Sequence, residues 1–177
     1  MRFTTNQMAI AAVVGAAYAA LTMALAPISY GPIQMRLSEV LCILPFFLPC
    51  TTWGLFLGCM IANLISAAGV WDVIFGSLAT LCACLCIQAL GQQGRGASSW
   101  QRVILAVLMP VLWNALIVGG MLTWSLTDTP LFHFSRQFWI FAGEVGLGEL
   151  IVMFVLGIPL LKLLQHNCWF QSLIPEA

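Results

Sequence analysis

Long apolar runs, separated by short polar, proline-rich or glycine-rich breaks, dominate this chain. The runs predict helices over residues 7–27, 39–49, 53–68, 73–90, 101–124 and 138–164. The second and third helices are too short to cross, while upright, a hydrocarbon core of about 30 Å. We therefore expect these two to be kinked or half-buried and shielded by the longer helices. The pattern predicts a single membrane domain of six helices over residues 1–177.

The break after the first predicted helix differs from the others. The segment Pro27-Ile-Ser-Tyr-Gly-Pro32 stops any helix because a proline stands at each end of it. Residues 33–39 then alternate between apolar and polar, which is typical of an extended or re-entrant segment. Ser38 is predicted to cap the second helix, and Pro45 interrupts that helix.

Composition narrows the class of protein further. Hydrophobic residues make up 62% of the chain and charged residues only 7%, against about 25% in an ordinary soluble domain. A soluble fold needs more surface charge, and a disordered chain needs lower hydrophobicity. The net charge of zero leaves no basic patch for nucleic acid. The chain is therefore predicted to be an all-α polytopic protein of the lipid bilayer.

The sequence offers no catalytic or metal-binding motif. It has no P-loop, no H-E-x-x-H and no G-x-S-x-G, and its two histidines are far apart. The seven cysteines lack C-x-x-C spacing and are expected to be small apolar residues. We expect no enzyme activity, no cofactor and no metal, and any ATP that drives the protein must be hydrolysed by a partner.

The basic residues predict the orientation in the membrane. With the N-terminus inside, the inner segments carry Arg2, Arg95, Arg102 and Lys162, and the outer segments carry Arg36 and Arg136. Inner loops of membrane proteins are enriched in Lys and Arg. The distribution favours cytoplasmic N- and C-termini.

Charged residues at membrane depth are costly and therefore candidate functional residues. They are Arg36 and Glu39 before the second helix, Asp72 at the start of the fourth, and Glu144 and Glu149 within the sixth. At about 1.5 Å per residue, Glu144 lies roughly 9 Å and Glu149 roughly 16 Å into that helix, about 140° apart around its axis. Structural roles are open as well: a local ion pair for the first two residues, an N-cap for Asp72, and contacts between helices for the glutamates.

Small residues on the first helix predict a close contact with another helix. One row consists of Ala12, Ala16, Ala20 and Ala24, and a second row beside it of Ala11, Gly15 and Ala19. The contact is either within this chain or with a partner protein. Asn63 and Asn114 also fall within predicted helices, where amides commonly link neighbouring helices.

Several segments resemble the signature of the QueT family of queuosine-precursor transporters. The most specific is Tyr30-Gly-Pro-Ile-Gln-Met-Arg-Leu-Ser-Glu-Val-Leu-Cys-Ile-Leu-Pro45. The others are residues 54–64, 71–80 and 148–152, so the resemblance covers nearly the whole chain.

That family is similar to the S-components of energy-coupling factor (ECF) transporters. The resemblance implies a six-transmembrane-helix bundle of the ECF S-component type, which captures its substrate at the outer face of the bacterial plasma membrane. It also implies an ECF module as partner, made of a transmembrane scaffold subunit and two cytosolic ATPases. The implied docking residues are Ala12, Gly15, Ala16, Ala19, Ala20 and Ala24, and which of the two rows docks is left open.

The implied ligands are 7-deazaguanines, either queuine or its aminomethyl precursor. Their pyrimidine edge carries N–H donors beside a carbonyl oxygen, which a carboxylate and an amide or guanidinium can satisfy. The candidate binding residues are Gln34, Arg36, Glu39, Trp71, Asp72, Asn114, Glu144 and Glu149. We expect Glu144 or Glu149, together with Asn114, to bind the base edge. We expect Glu39 or Asp72 to bind the amine or to steady a closing loop.

Two other functions remain open on the sequence alone. The chain could be a stand-alone secondary transporter of a small heterocycle that uses Glu149 as its proton site. It could also be an assembly or sensor protein that acts through the first helix and needs no small ligand.

Overall fold

The computed structural model describes residues 4–30, 35–66, 69–92, 100–127, 130, 133–167 and 170. Its helices are α1 (Thr5–Ala24), α2 (Ala26–Ser29), a 3₁₀ helix (Leu37–Phe46), α3 (Thr51–Asn63), α4 (Val70–Gln92), α5 (Trp100–Leu126) and α6 (Arg136–His166). Four of them, α1, α4, α5 and α6, are long and apolar enough to cross a membrane. The all-helical membrane class is confirmed for the described ranges. The predicted count of six is met only in part, because a one-turn helix, α2, follows α1.

The 3₁₀ helix and α3 are the two short elements that the sequence predicted. The 3₁₀ helix is buried along most of its length and packs against α1, α3 and α4. At a rise of about 2.0 Å per residue it covers only about 20 Å. Ser38 does not cap it, because the helix already begins at Leu37 and its N-cap residue is Arg36. The Ser38 hydroxyl accepts a hydrogen bond from Thr22. Helix α3 ends at Asn63, earlier than the predicted Ala68.

Helices α1 and α3 touch backbone to backbone. A Cβ atom at Gly54 would collide with the backbone of Ala11, and one at Gly58 would collide with the backbone of Gly15. Only glycine permits this approach, which is how small residues bring membrane helices together. The row that contains Gly15 and Ala19 therefore lies inside the molecule, against α3.

Helices α5 and α6 pack antiparallel and each contains one turn of π-helix. The π turns cover Asn114–Val118 and Met153–Gly157. Gly119 lies against Ala142, and Gly146 lies against Ala115. This register places Asn114 at the level of Leu147, so Glu149 lies only about 3 Å away along the helix axis. Single π turns are frequent at functional sites.

Candidate functional site

Buried polar side chains gather where the 3₁₀ helix meets its neighbours. This polar cluster consists of Tyr18, Thr22, Arg36, Ser38, Glu39, Asn63, Asp72, Thr80 and Glu149, none of them more than 3% exposed. Burying so many polar groups is unfavourable unless they have partners. The arrangement of those partners therefore shows which residues are needed for folding and which are free to bind something else.

Arg36 and Asp72 form a buried ion pair. The Arg36 Nη2 atom lies 3.0 Å from Oδ2 and 3.3 Å from Oδ1 of Asp72. Burial lowers the pKa of the guanidinium, but the Asp72 carboxylate, together with Cys59, Tyr18 and Glu39, outweighs that effect and the pKa is raised above its usual value. Of the structural roles left open by the sequence, an ion pair of Arg36 with Glu39 is not formed, and Asp72 serves as the ion-pair partner of Arg36 within the first turn of α4 rather than as its N-cap.

The Glu39 carboxylate is surrounded by donors. It accepts hydrogen bonds from the Tyr18 hydroxyl, from Thr80 Oγ1 at 3.2 Å and from Cys42 Sγ at 3.0 Å. These donors come from α1, α4 and the 3₁₀ helix itself. Glu39 therefore joins three elements, and no side of its carboxylate is left without a protein partner.

Asn63 connects the end of α3 to the start of α4. Its Nδ2 atom donates to the backbone carbonyl of Asp72 at 3.0 Å, which confirms the predicted role of this amide as a link between helices. Gly76 lies beside it, and a Cβ atom there would meet both Asn63 Nδ2 and Asp72 Oδ1. The absence of a side chain at Gly76 leaves room on α4 for the Asn63 amide and the Asp72 carboxylate.

Other buried polar atoms have no hydrogen-bond partner among the described residues. They are Oε1 of Glu149, Nδ2 of Asn114, Nε1 of Trp113, Nε and Nη1 of Arg36, Oδ1 of Asn63, and the hydroxyls of Ser29 and Ser77. Glu149 also interacts electrostatically with Glu39 and Arg36. Unpartnered polar groups in a protein interior are few and call for a ligand or water. Glu149 and Asn114 therefore present an acceptor and a donor at nearly the same membrane depth.

The structure does not bring all predicted site residues together. Glu144 is exposed on α6, outside the polar cluster. Trp71 is 46% exposed, and its ring lies edge-on to that of Trp124 with centroids 4.6 Å apart. Gln34 lies outside the described residues. Within the described ranges, no three His, Cys, Asp or Glu side chains are placed to bind a metal ion.

Sequence reasoning missed the residues that hold Glu39. Tyr18 and Thr80 are not among the predicted site residues, and Cys42, like the other cysteines, is expected from the sequence to be only a small apolar residue. The signal for Tyr18 was present, because it is the one aromatic residue in an alanine-rich span. The pairing of these side chains depends on how three helices meet, which no single run of sequence specifies.

The outer row of α1 remains exposed. Ala12, Ala16, Ala20 and Ala24 are all exposed, whereas Gly15 and Ala19 are buried. An apolar groove of about 400 Å³ runs between α1 and α3, and Ala12 and Ala16 line its edge together with Trp53 and Leu57.

Comparisons with known proteins agree with the membrane architecture. A family model described as QueT transporter matches residues 8–166. The queuosine precursor transporter QueT of Lactococcus lactis subsp. cremoris (strain MG1363) is 46% identical over 79 residues. That match covers 44% of this chain and 46% of the relative, so the alignment spans about half the length of the curated relative. No solved structure matches the chain.

Proposed function

The chain belongs to the QueT transporter family, and from this membership we propose that it captures queuosine precursors as the S-component of an ECF importer. The relative from Lactococcus lactis is described as a transporter of queuosine precursors. For this chain we propose 7-deazaguanines as ligands, taken up at the outer face of a bacterial plasma membrane with both termini in the cytoplasm.

The observation that carries the proposal is the set of unpartnered polar atoms between α5, α6 and the 3₁₀ helix. The Oε1 atom of Glu149 can accept from the N–H donors of the base edge, and Nδ2 of Asn114 can donate to the carbonyl oxygen beside them. Nη1 of Arg36 is a second donor for that oxygen. Of the two acids on α6, burial favours Glu149 over the exposed Glu144.

The remaining candidate residues are proposed to shape the site. Glu39 and Asp72 already have protein partners, so we assign them to steadying the segment that leads into the 3₁₀ helix. Trp71 and Gln34 are proposed to meet the ligand from the outer mouth, where an aromatic ring can stack on the base.

Delivery of the ligand is assigned to the ECF module. The chain has no P-loop motif, so we assign ATP hydrolysis to the ATPase subunits of that module. The exposed row Ala12, Ala16, Ala20 and Ala24 is the proposed docking surface for the transmembrane scaffold subunit. Gly15 and Ala19 support that surface from behind, because they hold α1 against α3.

A titration of the detergent-purified chain tests the capture function. The ligands are queuine, its aminomethyl and cyano precursors, guanine and riboflavin, and binding is measured by thermal shift or calorimetry. A bound ligand raises the melting temperature by mass action. We expect stabilisation by deazaguanines and none by riboflavin. A chain that melts cooperatively and responds to none of the deazaguanines would overturn the proposal.

Two matched variants test the site. Glu149→Gln is expected to weaken deazaguanine binding by about 100-fold or more, because each hydrogen bond to a charged group contributes about 1.5–3 kcal/mol. Glu144→Gln is the control, since it makes the same change at an exposed position of the same helix. Equal affinities in the two variants would remove Glu149 from the site.

The buried Glu149 also suits a stand-alone proton-coupled carrier, which is the second candidate function. Liposomes that contain this chain alone separate the two. A pH gradient drives substrate uptake into them if the chain is such a carrier, and fails to do so if the ECF module is required.

A further inference from the structure

The polar cluster contains more buried acids than bases. Among the described residues it holds one cation, Arg36, and three carboxyl groups, those of Glu39, Asp72 and Glu149. Arg36 forms its ion pair with Asp72. The two other buried carboxyl groups, on Glu39 and Glu149, form no ion pair within the described ranges, and Glu149 interacts electrostatically with Glu39 and with the more distant charge of Arg36.

These two carboxyl groups have very different surroundings. Three donor groups point at the Glu39 carboxyl group, so both of its oxygens have protein partners. Oε1 of Glu149 has no partner in the described part of the chain. A negative charge on a buried carboxyl group that has no donor for one of its oxygens is strongly unfavourable in a protein interior. When the site is empty, a proton is therefore expected on Glu149.

Few other charges face Glu149. The 3₁₀ helix contributes Glu39, and the segment before it contributes Arg36. On α5, Trp113 and Asn114 are neutral, and the one charged residue, Arg102, lies at the far end of that helix. On α6 itself, Glu144 is exposed and Lys162 lies over the ring of Trp100. Nothing else in the described ranges offsets a charge on Glu149.

We propose that Glu149 selects amine-bearing ligands by exchanging its proton for the positive charge of the ligand. The proposal rests on the proposed function and adds to it the rule by which the site distinguishes one deazaguanine from another. The O–H bond of the Glu149 carboxyl group breaks, its electron pair stays on the carboxylate, and the proton passes to the buffer. The carboxylate then accepts from the N–H donors of the ligand, while the ammonium of the ligand replaces the charge of the departed proton.

This exchange leaves the buried charge of the site unchanged. A neutral ligand, such as the cyano precursor, offers no such compensation. Loss of the Glu149 proton would then leave a buried negative charge that no ammonium group of the ligand balances. The aminomethyl precursor should therefore bind better than the cyano precursor by about tenfold or more. Because binding releases a proton, affinity for the aminomethyl precursor should rise by up to about tenfold per pH unit while the empty site is protonated and the ligand is cationic.

Calorimetry in several buffers tests the exchange directly. The purified full-length chain is titrated with the aminomethyl precursor at one pH in buffers with different heats of ionisation. The slope of the observed heat against the ionisation heat gives the number of protons released, and we expect about one per ligand. Heats that do not depend on the buffer, or a cyano precursor that binds as tightly as the aminomethyl one, would overturn the proposal.

Variants and outcomes distinguish this proposal from the function on which it rests. Glu149→Gln should abolish proton release and narrow the preference for the aminomethyl precursor, whereas Glu144→Gln, at an exposed position of the same helix, should retain both. If Glu149→Gln binds too weakly to measure, two measurements on the wild-type protein still test the exchange. They are the slope of the observed heat against the ionisation heat of the buffer, and the ratio of affinities for the aminomethyl and cyano precursors. Binding without proton release removes only the exchange, while failure of every deazaguanine to bind removes the capture function as well.

Discussion

Two glutamates of this protein lie equally deep and behave differently. Glu39, on the 3₁₀ helix, is surrounded by hydrogen-bond donors from α1, α4 and its own helix. Glu149, on α6, has an oxygen without a partner in the described ranges, and the amide of Asn114, at nearly the same level of α5, is unpartnered as well. The difference distinguishes a framework, made of α1, the 3₁₀ helix, α3 and α4, whose buried acids have protein partners, from the proposed binding side made of α5 and α6.

Breaking the ion pair of the framework should have the largest effect on stability. Arg36→Met removes the only cation of the polar cluster and leaves Asp72 buried without a counter-ion. We expect a loss of about 3–5 kcal/mol, the usual cost of leaving one partner of a buried pair alone. Thermal melting of the empty protein in detergent measures it. A melting temperature within a degree or two of wild type would show that solvent reaches Asp72.

Two glycine substitutions compare the stability of the α1–α3 contact in the framework with that of α6 on the proposed binding side. Gly54→Ala places a Cβ atom against the backbone of Ala11 and should cost about 3 kcal/mol or more, because backbone cannot move aside as a side chain can. Gly143→Ala on α6 meets nothing within 4 Å and should stabilise the helix by up to about 1 kcal/mol. Equal melting temperatures for the two variants would contradict the close α1–α3 contact.

The two glutamates can be compared by the same substitution. Glu39→Gln brings an N–H₂ group toward donors that need an acceptor, so we expect the empty protein to lose about 1.5–3 kcal/mol. Glu149→Gln removes a carboxyl group that has an unpartnered oxygen, so the empty protein should melt at the same temperature or higher. The contrast disappears if both variants melt alike, and the division into framework and binding side would then be wrong.

The smallest effect on stability is expected on the outer row of α1. Ala16→Leu points an added side chain away from the core, so melting and ligand binding should be nearly unchanged, within about 0.5 kcal/mol. Uptake together with the ECF module should fall sharply, because the added bulk keeps the two surfaces apart. Leu57→Ala, at another exposed position of the same groove, is a matched control that removes bulk instead of adding it. Normal uptake by Ala16→Leu would place docking elsewhere.

Much of the fold is predictable from the sequence because apolar runs report directly on helices that contact lipid. The four long helices fall close to their predicted ranges. The end of α3 and the two π turns are not predictable, since local composition does not change there. The partner of Arg36 was missed for a related reason: Asp72 lies on a different helix, and its approach depends on Gly76 and Asn63.

The candidate site could be predicted only as a set of residue types. Charged residues in an apolar chain are few, which is why Arg36, Glu39, Asp72 and Glu149 were all identified. Which acid is satisfied and which is free depends on donors supplied by other helices, such as Tyr18 and Thr80. The exposure of Glu144 depends likewise on the rotation of α6, which its nearly uniform apolar surface does not fix.

The two rows of small residues on α1 imply two kinds of mutational tolerance in one helix. Positions 11, 15 and 19 face α3, so a substitution there is selected against in every setting, because the chain itself fails to assemble. Positions 12, 16, 20 and 24 are exposed, so we expect the isolated chain to tolerate large residues there and the proposed docking on the ECF module to reject them. A saturation library read out once for cell-surface abundance and once for growth on an imported precursor would separate these rows residue by residue.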